Sequence, residues 1–74
     1  MEWRKISDRE YRLYLSNKRL GKILIDYKDN HKAWVSGYKE INTESYICIK
    51  GMTLDKALEI AKKKLIKKYY RNLG

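Results

Sequence analysis

The chain has no proline, no phenylalanine, one cysteine and one histidine among its 74 residues. Each shortage closes a route. A lone Cys48 cannot form an intramolecular disulfide, and Cys48 with His31 falls short of the three or four ligands a zinc site takes, so neither staple is expected. No metal and no cofactor are expected. The four glycines, Gly21, Gly37, Gly51 and Gly74, stand singly, which excludes a phosphate-cradling glycine loop. No apolar run approaches the roughly 18 residues of a membrane span. Met1-Glu2-Trp3-Arg4 does not read as a signal peptide, and the expectation is a cytoplasmic protein with no membrane partner. A chain this short withdraws only roughly 60% of its unfolded surface from water, which leaves little room for a deep pocket beside a core. Residues 1–74 read as one domain.

Catalysis has little to work with. His31 falls in a turn beside Asp29 and Lys32, without a nucleophile to serve. Cys48 lies among Tyr46, Ile47 and Ile49, and reads as a buried thiol acting as a small apolar group. Glu40 and Glu44 fall in loops with no acid–base partner in view. No catalytic residue is expected and the chain is not read as an enzyme.

What the sequence does hold is enough apolar material for a core, 43% of residues. The clearest element is a helix over residues 54–72. Thr53 is a suitable N-cap, Asp55 complements the positive end of the helix dipole, and cations gather at the other end. Leu54, Leu58, Ala61 and Leu65 recur at helical spacing with Ala57 beside them, and Ile66, Tyr69 and Leu73 widen that edge. Lys56, Lys63, Lys64, Lys67 and Arg71 fall on the far side.

Residues 3–50 read as short strands. Residues 11–15, 22–27, 32–38 and 46–50 alternate apolar and polar positions, and residues 3–7 add a further strand. Ser16-Asn17-Lys18-Arg19, Lys28-Asp29-Asn30-His31 and Asn42-Thr43-Glu44 supply turns. The expected fold is α+β: an antiparallel meander of three to five strands with one C-terminal helix packed on one face. The expected core is Leu13, Leu15, Ile23, Ile25, Val35, Ile47, Ile49, Leu54, Leu58, Ala61 and Leu65. One helix covers one face, so the reverse stays open, and alternation assigns to it Arg12, Tyr14, Lys22, Leu24, Trp34, Tyr38, Tyr46 and Lys50. A register shift of one residue would instead turn Trp34 inward.

The 18 Lys and Arg against 9 Asp and Glu give a formal charge of +9, a field that concentrates polyanions. The same Lys, Ile, Tyr and Asn abundance without Pro is also what an AT-rich genome produces. Distribution is more telling than the total, since no acid follows Glu59. Lys63 with Lys67, and Lys64 with Lys68, are like-charged at i, i+4 and mildly destabilising, which a bound polyanion would offset.

The stretch Gly51-Met52-Thr53-Leu54-Asp55-Lys56-Ala57, with Ala61 a turn on, resembles the sheet-to-helix junction of the three-stranded-sheet DNA-binding domains of plant AP2 factors and integrase N-terminal arms. That resemblance implies a sheet lying in a major groove. Met52 stands where those domains prefer an aromatic, and their Arg-rich first strand is missing. Trp3, Leu20-Gly21, Trp34 and the Thr53-to-Ala57 helix start together are similar to small uncharacterised single-domain proteins of phages and mobile elements.

The leading expectation is a small basic nucleic-acid-binding protein. Arg12, Tyr14, Lys22, Trp34 and Tyr46 would contact DNA or RNA from the open sheet face, and Lys63, Lys64, Lys67 and Arg71 on the helix would add field or a second phosphate track; if the two surfaces lie on opposite sides, one binds and the other only steers. The alternative is a phage-borne inhibitor or accessory factor docking a protein partner on that aromatic face, or a homodimer through it or through a free strand edge.

Overall fold

The computed structural model describes residues 1–73; Gly74 and the side chains of Asn72 and Leu73 lie outside the described residues, and with them the part assigned to Leu73 on the helix's apolar edge. Five strands precede one helix: β1 (Glu2–Lys5), β2 (Glu10–Leu15), β3 (Lys18–Asp26), β4 (Lys32–Gly37), β5 (Glu44–Cys48) and α1 (Leu54–Leu73). The strands form one antiparallel sheet in the order β1-β2-β3-β4-β5. The fold is α+β, a meander closed by a C-terminal helix.

Each connection has a local chemical cause. After β1, the Ser7 hydroxyl accepts from the Arg9 and Glu10 amides at 3.2 and 3.1 Å, a serine-closed turn. The β2–β3 turn is shorter than the sequence suggests: only Ser16 and Asn17 lie outside the strands, and Leu15 pairs with Lys18. Ser16 has φ 55°, the positive first position of a tight hairpin turn. After β3, Asp26 accepts from the Lys28 and Asp29 amides at 3.0 and 3.1 Å, and from the Asn30 side chain at 2.9 Å. That turn leaves Tyr27 outside the strand and exposed rather than on the inner face. Strand β5 begins at Glu44, earlier than alternation suggested, and ends at Cys48. Gly51, at φ 74°, occupies the third position of a turn in which the Met52 amide donates to the Ile49 carbonyl at 2.9 Å; this type II geometry favours glycine there. Thr53 then caps α1, its hydroxyl accepting from the Lys56 amide at 3.2 Å.

The core lies between α1 and one sheet face. Leu13, Ile23, Ile25, Val35, Ile47, Ile49, Ala61 and Leu65 are buried as expected, and so are Leu20, Ala33, Ile41 and Ala57. Leu15, Leu54 and Leu58 are only half-buried, packed at the margin with Trp3. The helix seam therefore runs along Ala57, Ala61 and Leu65, rotated from the leucine-centred stripe, because small side chains at the crossing let the helix sit close. Leu65 rests over Gly21, where a Cβ would come within 2.6 Å of its Cδ2. Ile41 reaches the core from the β4–β5 loop, which no periodicity signals. Cys48 is exposed, contrary to expectation: with Ile47 pointing inward, strand alternation turns Cys48 out.

Gly37 has no space for a side chain, since a Cβ there would collide with the Ile41 carbonyl. Gly37→Ala should therefore lie at or above the upper end of the roughly 1–3 kcal/mol typical of overpacking. Gly21→Ala would meet the Ser36 backbone carbonyl as well as the movable end of Leu65, so it too is costly, and it should cost less than Gly37→Ala only because its closest approach is longer. Urea unfolding of the two variants gives the order, and equal stability of wild type and Gly37→Ala would contradict the packing described.

Candidate nucleic-acid interface

The register sorts the open face into rows that run across the strands. One row joins Arg4, Arg12, Lys22, Ser36 and Glu44; the next joins Glu10, Leu24, Trp34 and Tyr46; a third joins Asp26, Lys32 and Cys48. Trp34 thus stands directly opposite Tyr46, and both project away from the helix, which decides its orientation. They are 39% and 62% exposed. Lys32 places its Nζ 5.0 Å from the Tyr46 ring centre, a cation–π contact that leaves a positive charge beside the platform.

At the other end of the face the sheet is irregular. Leu13 pairs with Gly21 but Tyr14 pairs with Arg19, so Leu20 is an extra residue in β3. Such a bulge resets alternation. Leu20 drops into the core, and Arg19 is aimed at the open face beside Tyr14. The Arg19 guanidinium lies 4.3 Å from the Tyr38 ring centre, and Lys39 approaches the same ring at 5.4 Å. Arg4 covers the Tyr14 ring at 3.9 Å. With one ring face already occupied, Tyr14 braces a cation more readily than it receives a base. Arg12, Tyr14, Arg19, Tyr38 and Lys39, with the hairpin tip, line a cleft of about 570 Å³.

The face is less basic than the chain as a whole. Glu10 accepts from Arg12 Nε at 2.7 Å and Glu2 pairs with Arg4 at 3.2 Å. Among the described residues Lys22 enters no ion pair. The hydrogen bond from Arg12 holds the Glu10 carboxyl below the usual carboxylate range, and reciprocally Glu10 raises Arg12. Asp26 is lowered too, chiefly by the Asp29 amide, with Asn30 and Lys28 adding.

The helix cations are placed differently from expectation. Lys64, Lys67, Lys68 and Arg71 flank a groove with Thr43 and Ser45, between α1 and the β5 edge, instead of crowning the far side of the helix. Ser45 pairs with Val35 on the helix-covered side of the sheet, so this groove and the open face look in opposite directions. Lys63 sits apart and pairs with Glu59 at 3.5 Å. Arg12, Tyr14, Lys22, Trp34 and Tyr46 therefore come together; Lys63, Lys64, Lys67 and Arg71 do not join them. Arg19, Tyr38 and Lys39 complete the open face, and of these alternation pointed only to Tyr38. Among the described residues no three metal-ligating side chains cluster, and no helix is long and apolar enough to cross a membrane.

No family model matches this chain, and neither a curated protein nor a solved structure matches it.

Carboxylates held low bind their protons less readily in the folded chain than in the unfolded one. Their stabilising contribution is complete above the ordinary carboxylate value, about pH 4.3, and disappears as pH drops through the lower folded values. Stability should accordingly be flat near neutrality and fall on acidification below about pH 4.3. The double variant Glu10→Gln, Asp26→Asn should show a shallower fall. Unfolding measured from neutral to acid pH tests this, and an unchanged acid limb in the double variant would refute the assignment to these two groups.

Proposed function

We propose that this protein binds single-stranded nucleic acid across the open face of its sheet. The observation that carries the proposal is the Trp34–Tyr46 pair: two exposed rings directly opposed on neighbouring strands, beside a row that contains Arg12 and Lys22. Rings held this way offer flat surfaces on which bases stack whatever their sequence, while neighbouring cations meet the phosphates. Duplex DNA keeps its bases stacked inside and would leave the ring faces unused. The α1–β5 groove, on the opposite side, supplies long-range attraction to the polyanion and speeds encounter.

One observation favours protein docking as the second reading. Leu24, Trp34 and Tyr46 form a continuous apolar row over three strands, and on this face Arg4, Arg12, Arg19, Lys22, Lys32 and Lys39 are nearly balanced by Glu2, Glu10, Asp26, Glu40 and Glu44. An aromatic centre with a mixed-charge rim is also the anatomy of a protein interface.

Anisotropy titrations of labelled single- and double-stranded oligonucleotides at several salt concentrations separate the two. Single strands should bind more tightly, with a log–log salt slope near −3 for about four phosphates. Trp34→Ala and Tyr46→Ala should each weaken binding by about 1–3 kcal/mol and leave the slope unchanged. Lys64→Glu with Lys67→Glu should slow association at low salt and leave dissociation nearly unchanged. Wild-type affinity in Trp34→Ala, or no response to salt, would remove the proposal and leave protein docking in its place.

A further inference from the structure

The cleft beside the β2–β3 hairpin has a chemistry that the stacking platform lacks. We infer that it is a binding site for a nucleotide phosphomonoester; on the single-strand reading above, on which this inference rests, the source is the phosphorylated end of the bound strand.

Three features carry the inference. The first is charge: Arg19 and Lys39, with Arg12 held by Glu10, line the cleft against Glu40 as its one lining carboxylate, while Lys18 borders it with its ammonium turned to the Tyr69 ring of α1, 5.2 Å from the ring centre. An internal phosphodiester carries a single negative charge, whereas a terminal phosphomonoester carries about 1.5 to 2 at neutral pH and three acceptor oxygens. A cluster of several cations therefore discriminates in favour of the terminus. The second is preparation of Arg19. Its guanidinium is braced on Tyr38, and its Nε is shielded from solvent without a hydrogen-bond partner. A planar donor fork fixed by stacking and partly withdrawn from water is suited to an anionic oxygen. The third is size and position. About 570 Å³ lies within the roughly 300–1,000 Å³ of small-ligand pockets. Along β2 and β3 the Tyr14–Arg19 pair is two rows from the row of Trp34 and Tyr46, with Arg12 and Lys22 between. At about 3.3 Å per residue that is roughly 13 Å. A strand anchored by its end in the cleft would cross the cation row and reach the rings within a few nucleotides.

The test compares one short, internally labelled oligonucleotide in three forms, 5′-phosphorylated, 3′-phosphorylated and with hydroxyl ends, alongside AMP as the free nucleotide. One phosphorylated form should bind the wild-type protein tenfold or more tightly than the hydroxyl form. Arg19→Gln should abolish that preference, and Lys39→Asn, which keeps a residue tolerant of the left-handed backbone at this position (φ 56°), should reduce it. Arg19→Lys, retaining charge without the planar fork, should recover only part. Thermal unfolding establishes that each variant is folded, and the Lys39→Asn comparison is the second route should Arg19→Gln fail to fold. Trp34→Ala should weaken all three forms by the same factor and preserve their ratio. Equal affinity for phosphorylated and hydroxyl ends would overturn the inference and leave sheet-face binding standing. AMP bound in an Arg19-dependent manner, with no oligonucleotide bound, would support the cleft and overturn the single-strand reading.

Discussion

The close seating of α1 on the sheet is the constraint on which the rest of the molecule depends. Gly21 leaves a hollow in the middle of the inner face, Leu65 fills it, and Ala57 and Ala61 bring the helix backbone down beside it. With a single cysteine and no three metal-ligating side chains clustered among the described residues, this contact is where the fold concentrates its apolar burial. A single helix has one seam, so it seals one side of a five-stranded layer and leaves the reverse in water. The exposure of Trp34 and Tyr46 follows from that geometry: among the described residues no second element covers them.

The open face and the helix groove carry their cations in different surroundings. The groove is lined by four cations and two hydroxyls, which makes it a source of field. On the sheet face Arg4 and Arg12 pair with Glu2 and Glu10, Arg19, Lys32 and Lys39 lie beside aromatic rings, and Lys22 enters no ion pair among the described residues. Such internal pairing keeps guanidinium groups in fixed directions and lowers the net attraction of the face, so on the proposed reading shape and stacking would weigh more there than charge alone.

Alternation along the strands made most of the open face legible. Arg12, Tyr14, Lys22, Trp34 and Tyr46 share it because residues two apart point the same way, and the helix start at Thr53 was readable from its cap. What alternation could not reach lies where the period breaks. Arg19 was assigned to a turn, and a count of two back from Ile23 through Gly21 would have sent it inward; the extra Leu20 reverses that sense and builds the cleft. Ile41 enters the core from an irregular loop, where burial follows from the Gly37 and Thr43 backbone contact and from no repeat. The placement of Lys64, Lys67 and Arg71 failed for a different reason: helical angles locate residues relative to one another, but their relation to the β5 edge depends on which way the helix crosses the sheet.

The order of elements along the chain has a consequence for biogenesis. Every strand pairs with its sequence neighbour, so the sheet can assemble progressively while the ribosome is still adding residues, each hairpin closing a short loop. Its cover is synthesised after all five strands. Until α1 clears the exit tunnel, Ile23, Val35 and Ile47 remain bare on a nascent layer with two open edges, and a translation product stopped before the helix would be a substrate for chaperones or for self-association.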